Sequence, residues 1–249
     1  MHFFEIKYET PPGLPPPYCY YFHLTGRVVQ GTPQVEFDWV YHHREDLTEE
    51  EIIAEGFTGD DDYHWRGALH AVWLDQLEQK AAETPVVGRP DEEGAYLHVT
   101  VEADHRVLLR GHPRNGTAWE YFLQELVQAV YETAGREAPL VLRFRKVEPG
   151  GKAAEARVQI SFADRSVKRT GPGKAAGVLS WEGMQGELQP IYALEYDAEA
   201  AGAKAPGEPG YYLDPGEDRW YELGKSARNP GGRKNHVAAV TRFMDGLLA

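Results

Sequence analysis

The sequence predicts an α+β fold in which an antiparallel or mixed sheet is built from hairpins and the helices pack on one side of it. Several segments alternate apolar and polar residues, as half-buried strands do, and short turns join some of them into hairpins. Other segments carry apolar residues at helical spacing, so each presents one apolar stripe. The order is strands, helix, hairpin, helix, hairpin, edge strand and helix, which favours this layered arrangement.

The first predicted strands cover residues 2–9 and 18–25, and a third lies in QVEFDWVYHH at 34–43. The connector PPGLPPP between the first two cannot be helical or lie inside a sheet, because proline has no backbone N–H. In the third segment Val35 and Trp39 belong to an apolar set that alternates with mainly polar residues. One face of this strand is therefore predicted to be buried.

Two helices are predicted next. Thr48 and Glu51 have capping-box spacing and Gly56 suits the left-handed position after a helix, so residues 48–55 are predicted to be a short helix. Between about residues 62 and 81, apolar side chains recur every three or four positions and predict a longer helix. These side chains are Trp65, Leu69, Val72, Trp73 and Leu77.

The middle of the chain predicts two hairpins with a helix between them. Residues 95–103 alternate and then turn into RVLLRG, which is typical of a hairpin. Thr117 and Glu120 repeat the capping-box spacing before an apolar stripe that ends at Gly135, which predicts a helix over 117–134. Strands at 139–147 and 155–163, joined by the turn PGGKA, form the second hairpin.

The last third of the chain sets the predicted domain organisation. A strand is expected at 187–197, which Pro190 restricts to a sheet edge, and an Ala-, Gly- and Pro-rich linker or long loop follows at 198–210. Residues 211–249 are predicted to form a short aromatic hairpin and a helix from about Lys234. The prediction is a main α+β domain at 1–197 on which residues 211–249 pack.

Composition excludes several classes of protein. The net charge of −13 argues against general attraction to nucleic acid or anionic lipid. A single cysteine, Cys19, rules out an intrachain disulfide and a thiolate zinc site. The N-terminus shows no basic start followed by an apolar stretch, and no window approaches the roughly 18 apolar residues of a membrane helix. We therefore expect a soluble, cytoplasmic protein without membrane contact.

The first candidate functional site is a binding site for a divalent metal ion. The imidazole and carboxylate groups of His42, Asp60, Asp62 and His64 lie close together in the sequence and are ligand types for a divalent ion. None of the spacings of HExxH, an EF-hand loop or an HxH pair is present. The alternative interpretation is that the aspartates cap a helix that begins near Tyr63 and the histidines mark a strand end.

Other patterns give weaker indications of catalysis. His98, His105 and His112 lie along one hairpin, where a general base is conceivable, but no GxSxG nucleophile motif accompanies them. The stretch RTGPGKAAG places Lys174 after glycines, yet it lacks the Ser or Thr of a Walker loop and is interpreted as a turn. No cofactor is indicated, and the catalytic residues of any enzyme remain unassigned.

Charge is unevenly distributed along the chain. Residues 136–174 carry ten basic and four acidic side chains, which leaves a net charge of −19 on the rest. The basic residues with the strongest case for binding an anionic partner are Arg143, Arg145, Arg157, Lys168 and Arg169. The three strand arginines alternate with core residues, so they are predicted to share a solvent face. The alternative is that acidic neighbours neutralise them.

These observations favour a binding protein over an enzyme. The first hypothesis is an acidic interaction protein, of the inhibitor or immunity type, that binds a cationic macromolecular partner. The second is a metal-assisted or histidine-dependent hydrolase that uses the region from His42 to His64. The third is binding of an anion or nucleic acid through the basic hairpin, which is formed by the predicted strands at 139–147 and 155–163. A protein partner is favoured over nucleic acid.

Overall fold

A computed structural model of the chain describes residues 1–90, 92–172 and 179–249. The chain forms two compact units, Met1–Glu137 and Ala138–Ala249. Each contains an antiparallel sheet and helices, so the predicted α+β fold is confirmed. No helix in the described ranges is both long enough and apolar enough to cross a membrane.

The first unit is built on a seven-stranded antiparallel sheet with the order β4-β3-β2-β1-β6-β7-β5. Its strands are β1 (Phe3–Glu9), β2 (Tyr20–Val29), β3 (Thr32–Tyr41), β4 (Tyr63–Ala68), β5 (Val86–Val87), β6 (Tyr96–Ala103) and β7 (Arg106–Pro113). In the middle of the sheet, Ile6 lies opposite both Leu24 and Val99, and all three are buried. The predicted strands 2–9 and 18–25 and the first hairpin are confirmed.

The helical elements of the first unit are a 3₁₀ turn (Arg44–Asp46), α1 (Glu49–Ala54), α2 (Val72–Glu83) and α3 (Gly116–Thr133). Of these, α2 and α3 pack against the strands of the sheet. Trp73 of α2 and Trp119 of α3 are each 1% exposed and both pack against Phe122. Burial of such large side chains stabilises the unit by about 1.5–3 kcal/mol per residue. The helices thus hold the aromatic face of the sheet in place.

The second unit has a five-stranded sheet with the order β10-β9-β8-β12-β13 and a small two-stranded sheet. The strands are β8 (Leu140–Val147), β9 (Ala153–Ser161), β10 (Ser166–Thr170), β11 (Glu195–Tyr196), β12 (Gly210–Asp214), β13 (Tyr221–Glu222) and β14 (Ala227–Arg228). Helices α4 (Trp181–Tyr192) and α5 (His236–Leu248) bury Met184 and Met244 against Phe144 and Val158. The second hairpin, the short aromatic hairpin and the terminal helix are confirmed.

The units divide the chain at a different place from the predicted domains. No proline- or glycine-rich stretch marks the boundary between residues 137 and 138. The tract 198–210 lies inside the second unit, where Gly202 bridges to Trp220. Strand β12 pairs with β8, which joins residues 210–214 to the second hairpin in one sheet.

Two predicted elements are wrong. The helix expected over 62–81 begins only at Val72, because residues 63–68 form β4 and pair with β3. The aspartates before Tyr63 therefore precede a strand and cap no helix there. The strand expected at 187–197 is α4 as far as Tyr192, with Pro190 inside it. Apolar residues of α4 three or four positions apart bury one face on the core, which outweighs the hydrogen bond that proline lacks.

The start of α3 also differs from the prediction. The sequence indicates a capping box of Thr117 with Glu120, but the helix begins one residue earlier and Asn115 caps it. The Asn115 side chain accepts the backbone N–H of Ala118 at 3.2 Å. In contrast, the Thr48–Glu51 capping box of α1 is present as predicted. Glu120 is therefore available for another role.

Candidate binding site in the first unit

A cavity of about 230 Å³ lies between strands β1 to β3 and helix α3. Alternation along the strands puts its aromatic residues on one face, since Tyr8 lies opposite Phe22 and Phe22 opposite Trp39. The helix contributes residues three or four positions apart, which share one face of α3. The lining residues are Tyr8, Tyr20, Phe22 and Trp39 from the strands and Glu120, Leu123, Gln124, Val127 and Gln128 from the helix.

The aromatic wall of the cavity consists of nearly parallel rings. The centroids of Tyr20 and Trp39 are 4.0 Å apart with an interplanar angle of 21°, and those of Tyr8 and Phe22 are 5.2 Å apart at 17°. Such pairs add about 0.5–1.5 kcal/mol beyond their buried area. Phe22 is buried, whereas Tyr8, Tyr20 and Trp39 are half-buried. The wall therefore has a fixed base and three rings that solvent reaches.

Glu120 brings a carboxylate to the cavity. It is half-buried, and no residue in the described ranges hydrogen-bonds or ion-pairs with it. Burial raises the pKa of the Tyr8 phenol, and the negative charge of Glu120 raises it further. Burial also raises the pKa of Tyr20, the neighbouring Tyr8 and Tyr41 phenols raise it further, and Glu120 makes the smallest contribution. The cavity thus has a negative potential that no protein cation among the described residues neutralises.

A chain of aromatic contacts connects the cavity wall to the segment that follows β3. Tyr20 touches Tyr41 with ring centroids 6.0 Å apart, and Tyr41 touches Phe57 at 5.7 Å. Phe57 also contacts Tyr18 at 5.5 Å. The guanidinium of Arg44 lies over the Tyr41 ring at 3.9 Å. These contacts hold the segment after β3 against the end of the sheet.

We call residues 44–62 the acidic segment. It contains nine acidic residues and one basic residue, Arg44. Arg44 forms an ion pair with Asp61 at 2.8 Å, and Glu51 is engaged in the capping box of α1. Five other carboxylates are exposed and have neither an ion pair nor a side-chain hydrogen bond in the described part of the chain. They are Glu45, Asp46, Glu49, Glu50 and Asp60.

The charge imbalance follows the division into units. Residues 1–137 carry 25 acidic and 10 basic side chains, a net charge of −15. Residues 138–249 carry 14 acidic and 16 basic side chains, a net charge of +2. The acidic character of the chain therefore belongs to the unit that contains the cavity and the acidic segment.

The structure does not gather the predicted metal ligands. The four candidates are His42, Asp60, Asp62 and His64. His64 bonds to Asp38 through Nδ1, and Asp62 accepts the backbone N–H of the last residue of β3. His42 packs its ring against Tyr21 with centroids 4.7 Å apart. Within residues 1–90, 92–172 and 179–249, no group of three or more His, Cys, Asp or Glu is arranged to hold a metal ion.

The strand arginines of the basic hairpin lie on the face away from α4 and α5, as their alternation predicts. Arg143 of β8 lies directly opposite Arg157 of β9. Arg143 donates through Nε to Asp214 at 2.7 Å and through Nη2 to Asp218 at 2.9 Å. Arg145 donates to Glu155 at 2.9 Å. Two of the three arginines are therefore held by carboxylates of the same unit.

The other candidate anion ligands do not extend this face into a basic patch. Lys168 ion-pairs with Asp164 at 3.6 Å. Arg169, its neighbour in β10, points to the opposite face, where it donates to the carbonyl oxygen of Leu247 at the end of α5. Arg157 is exposed and has no partner among the described residues. Only one of the five predicted residues is thus both exposed and unpaired.

The histidines of the first hairpin form a smaller cluster. His98 and His112 touch with ring centroids 5.3 Å apart, and His112 Nδ1 lies 2.7 Å from the carbonyl oxygen of Leu97. Burial lowers the pKa of His98, and the charge of His112 lowers it further. His105 lies in the β6–β7 turn with a φ of 58°. Lys174 lies outside the described residues, as does most of its glycine-rich stretch.

The chain is an α+β protein whose first unit contains an aromatic-walled cavity with a carboxylate in its lining. No protein-family model, curated protein sequence or solved structure matches the chain.

Proposed function

We propose that the chain is a binding protein that recognises a cationic macromolecular partner through the acidic surface of its first unit. The observation that carries this proposal is the acidic segment, in which five exposed carboxylates have neither an ion pair nor a side-chain hydrogen bond among the described residues. Some charges elsewhere are paired, such as Arg145 with Glu155 and Lys146 with Asp245. A concentration of unpaired charge attracts an oppositely charged surface and accelerates encounter.

The position of the acidic segment supports the same function. It is attached to the end of β3 through Tyr41 and Phe57, so its carboxylates are presented from a packed base. The aromatic contacts lead from there to a cavity lined by Glu120, a carboxylate without a partner in the described part of the chain. Interfaces combine a charged rim, which steers association, with aromatic anchors, which supply most of the affinity. The first unit contains both parts.

The test is a charge reversal with a matched control. The variant replaces Glu45, Asp46, Glu49 and Glu50 with lysine. The control replaces four exposed acidic residues of the second unit, Glu182, Glu195, Glu199 and Glu208, with lysine, so both variants have the same net charge. Binding of fluorescent polylysine is measured by anisotropy at about 50 mM and about 300 mM NaCl, because salt screens exposed charges.

We expect the acidic-segment variant to bind polylysine at least about tenfold more weakly than the control at low salt, since each exposed pair contributes about 0.2–1 kcal/mol. High salt is expected to remove most of this difference. If the two variants bind equally, only net charge matters and the proposal is wrong.

A further inference from the structure

We infer that the cavity between β1–β3 and α3 is a binding site for a guanidinium group, as carried by an arginine side chain. This deepens the proposed function, because the arginine would belong to the cationic partner that the acidic segment attracts. The inference rests on the shape of the cavity, on its aromatic wall and on the unpaired carboxylate of Glu120.

The size of the cavity favours one side chain over a larger ligand. Its volume of about 230 Å³ lies below the roughly 300–1,000 Å³ of typical small-molecule sites. Three of its four aromatic residues are half-buried, so the site opens to solvent. A side chain that projects from a partner surface can enter such a site, and its backbone remains outside.

The chemistry of the lining favours a planar cation. Glu120 offers two carboxylate oxygens, Gln124 offers an amide oxygen, and both side chains lack a partner among the described residues. A guanidinium has five N–H donors in one plane and can bind a carboxylate through two of them. It is also weakly hydrated and stacks on aromatic rings, whereas an ammonium is a compact and strongly hydrated charge. The rings of Tyr20, Phe22 and Trp39 are nearly parallel, so a flat group can lie along them.

The test uses small probes that differ only in the head group. Acetyl-arginine amide, acetyl-lysine amide and acetyl-citrulline amide are titrated into the full-length protein. Citrulline has the shape of arginine with a neutral urea in place of the guanidinium. Binding is followed by the NMR signal of the Trp39 indole N–H, which is assigned by its loss in Trp39→Phe.

We expect saturable shifts with the arginine probe and binding at least about tenfold weaker with the citrulline and lysine probes. Glu120→Gln is expected to weaken arginine binding by at least about tenfold. Glu199→Gln removes the same charge from an exposed position of the second unit and is expected to leave this small-probe affinity within about twofold, because exposed charges contribute little. Should Glu120→Gln not fold, the comparison of arginine with citrulline on the native chain still decides the question.

Three results would each overturn the inference: no saturable shift, equal binding of citrulline, or equal binding of lysine. The proposed function fails separately, through the polylysine measurement. If the arginine probe does not bind but the acidic-segment variant loses polylysine, the acidic surface is functional and the cavity is not its anchor. If the arginine probe binds but both charge-reversal variants bind polylysine equally, the cavity site holds and the proposed surface is wrong.

Discussion

Replacing Asp214 with alanine is expected to destabilise the second unit far more than removal of any exposed carboxylate. Asp214 is 1% exposed, accepts the Nε proton of Arg143 at 2.7 Å, and accepts the backbone N–H groups of Gly216 and Glu217 at 2.9 Å each. The substitution leaves these donors unsatisfied and removes the anion that balances a guanidinium with 30% of its surface exposed. The Asp214 carboxylate is thus a structural partner of Arg143.

The magnitude follows from these contacts. Removal of one partner of a buried ion pair costs about 3–5 kcal/mol. Because the Arg143 side chain still reaches water, we expect the low end of that range, about 3 kcal/mol. Asp218 contacts the same guanidinium at 2.9 Å but is 96% exposed. Its φ is 58°, a backbone conformation that asparagine tolerates better than alanine, so Asp218→Asn is the matched control and is expected to have no resolvable effect.

The assay is urea unfolding of both variants, followed by the far-ultraviolet signal and by tryptophan fluorescence. A double-mutant cycle with Arg143→Met measures the coupling, which we expect to exceed about 1 kcal/mol with Asp214. Equal midpoints for Asp214→Ala and Asp218→Asn would refute the reasoning. Arg143 would then be available to bind an anionic ligand, as the sequence alone allows.

Two further predictions concern the first unit. The pKa of His98 is lowered, first by burial and then by the charge of His112, so the unfolded chain takes up this proton more readily than the folded protein. This contribution to stability is complete above the unfolded pKa of about 6.5 and is lost as the pH falls through the folded value. At pH values below about 6.5, the urea concentration at the unfolding midpoint should therefore fall, and it should fall less in His98→Gln than in the native protein. An identical decrease in both proteins would contradict this prediction. The second prediction is that Gly26→Ala, which places a Cβ 2.1 Å from the Phe4 ring, lowers the free energy of unfolding by about 1–3 kcal/mol. An unchanged thermal unfolding midpoint would contradict it.

Much of the fold could be predicted because its signals are local. Period-2 alternation identifies β1, β2 and β3, and the capping box of Thr48 with Glu51 marks the start of α1. The wrong elements depend on distant pairing. Trp65 and Leu69 fit a helical spacing, yet the first of them lies in β4 because that strand finds a partner in β3. A pairing of this kind leaves no trace in a short sequence window.

The candidate site was hidden for a related reason. Tyr8, Tyr20 and Trp39 come from three strands and meet Glu120 only when α3 packs over them. Local spacing assigns Glu120 to a capping box, and only the position of Asn115 shows that this role is filled. Alternation does predict that the aromatic residues face the core, but it does not show that they leave a space there.

The role of the basic hairpin also needed the tertiary structure. Its arginines do project from one face of the sheet, as alternation predicts. The carboxylate that holds Arg143 lies 71 residues away in the sequence, on the last residue of β12. No local pattern connects the two residues. The +6 charge of residues 136–174 therefore overstates the cationic surface that this segment offers.

Hydrogen exchange of the full-length chain with and without an arginine-rich peptide tests the central claim most directly. If the first unit binds the cationic partner, amides of the acidic segment (44–62) and of α3 around Glu120 should become protected, and Glu120→Gln should reduce the protection in α3. Protection confined to residues 138–249, or spread evenly over the whole chain, would contradict the account.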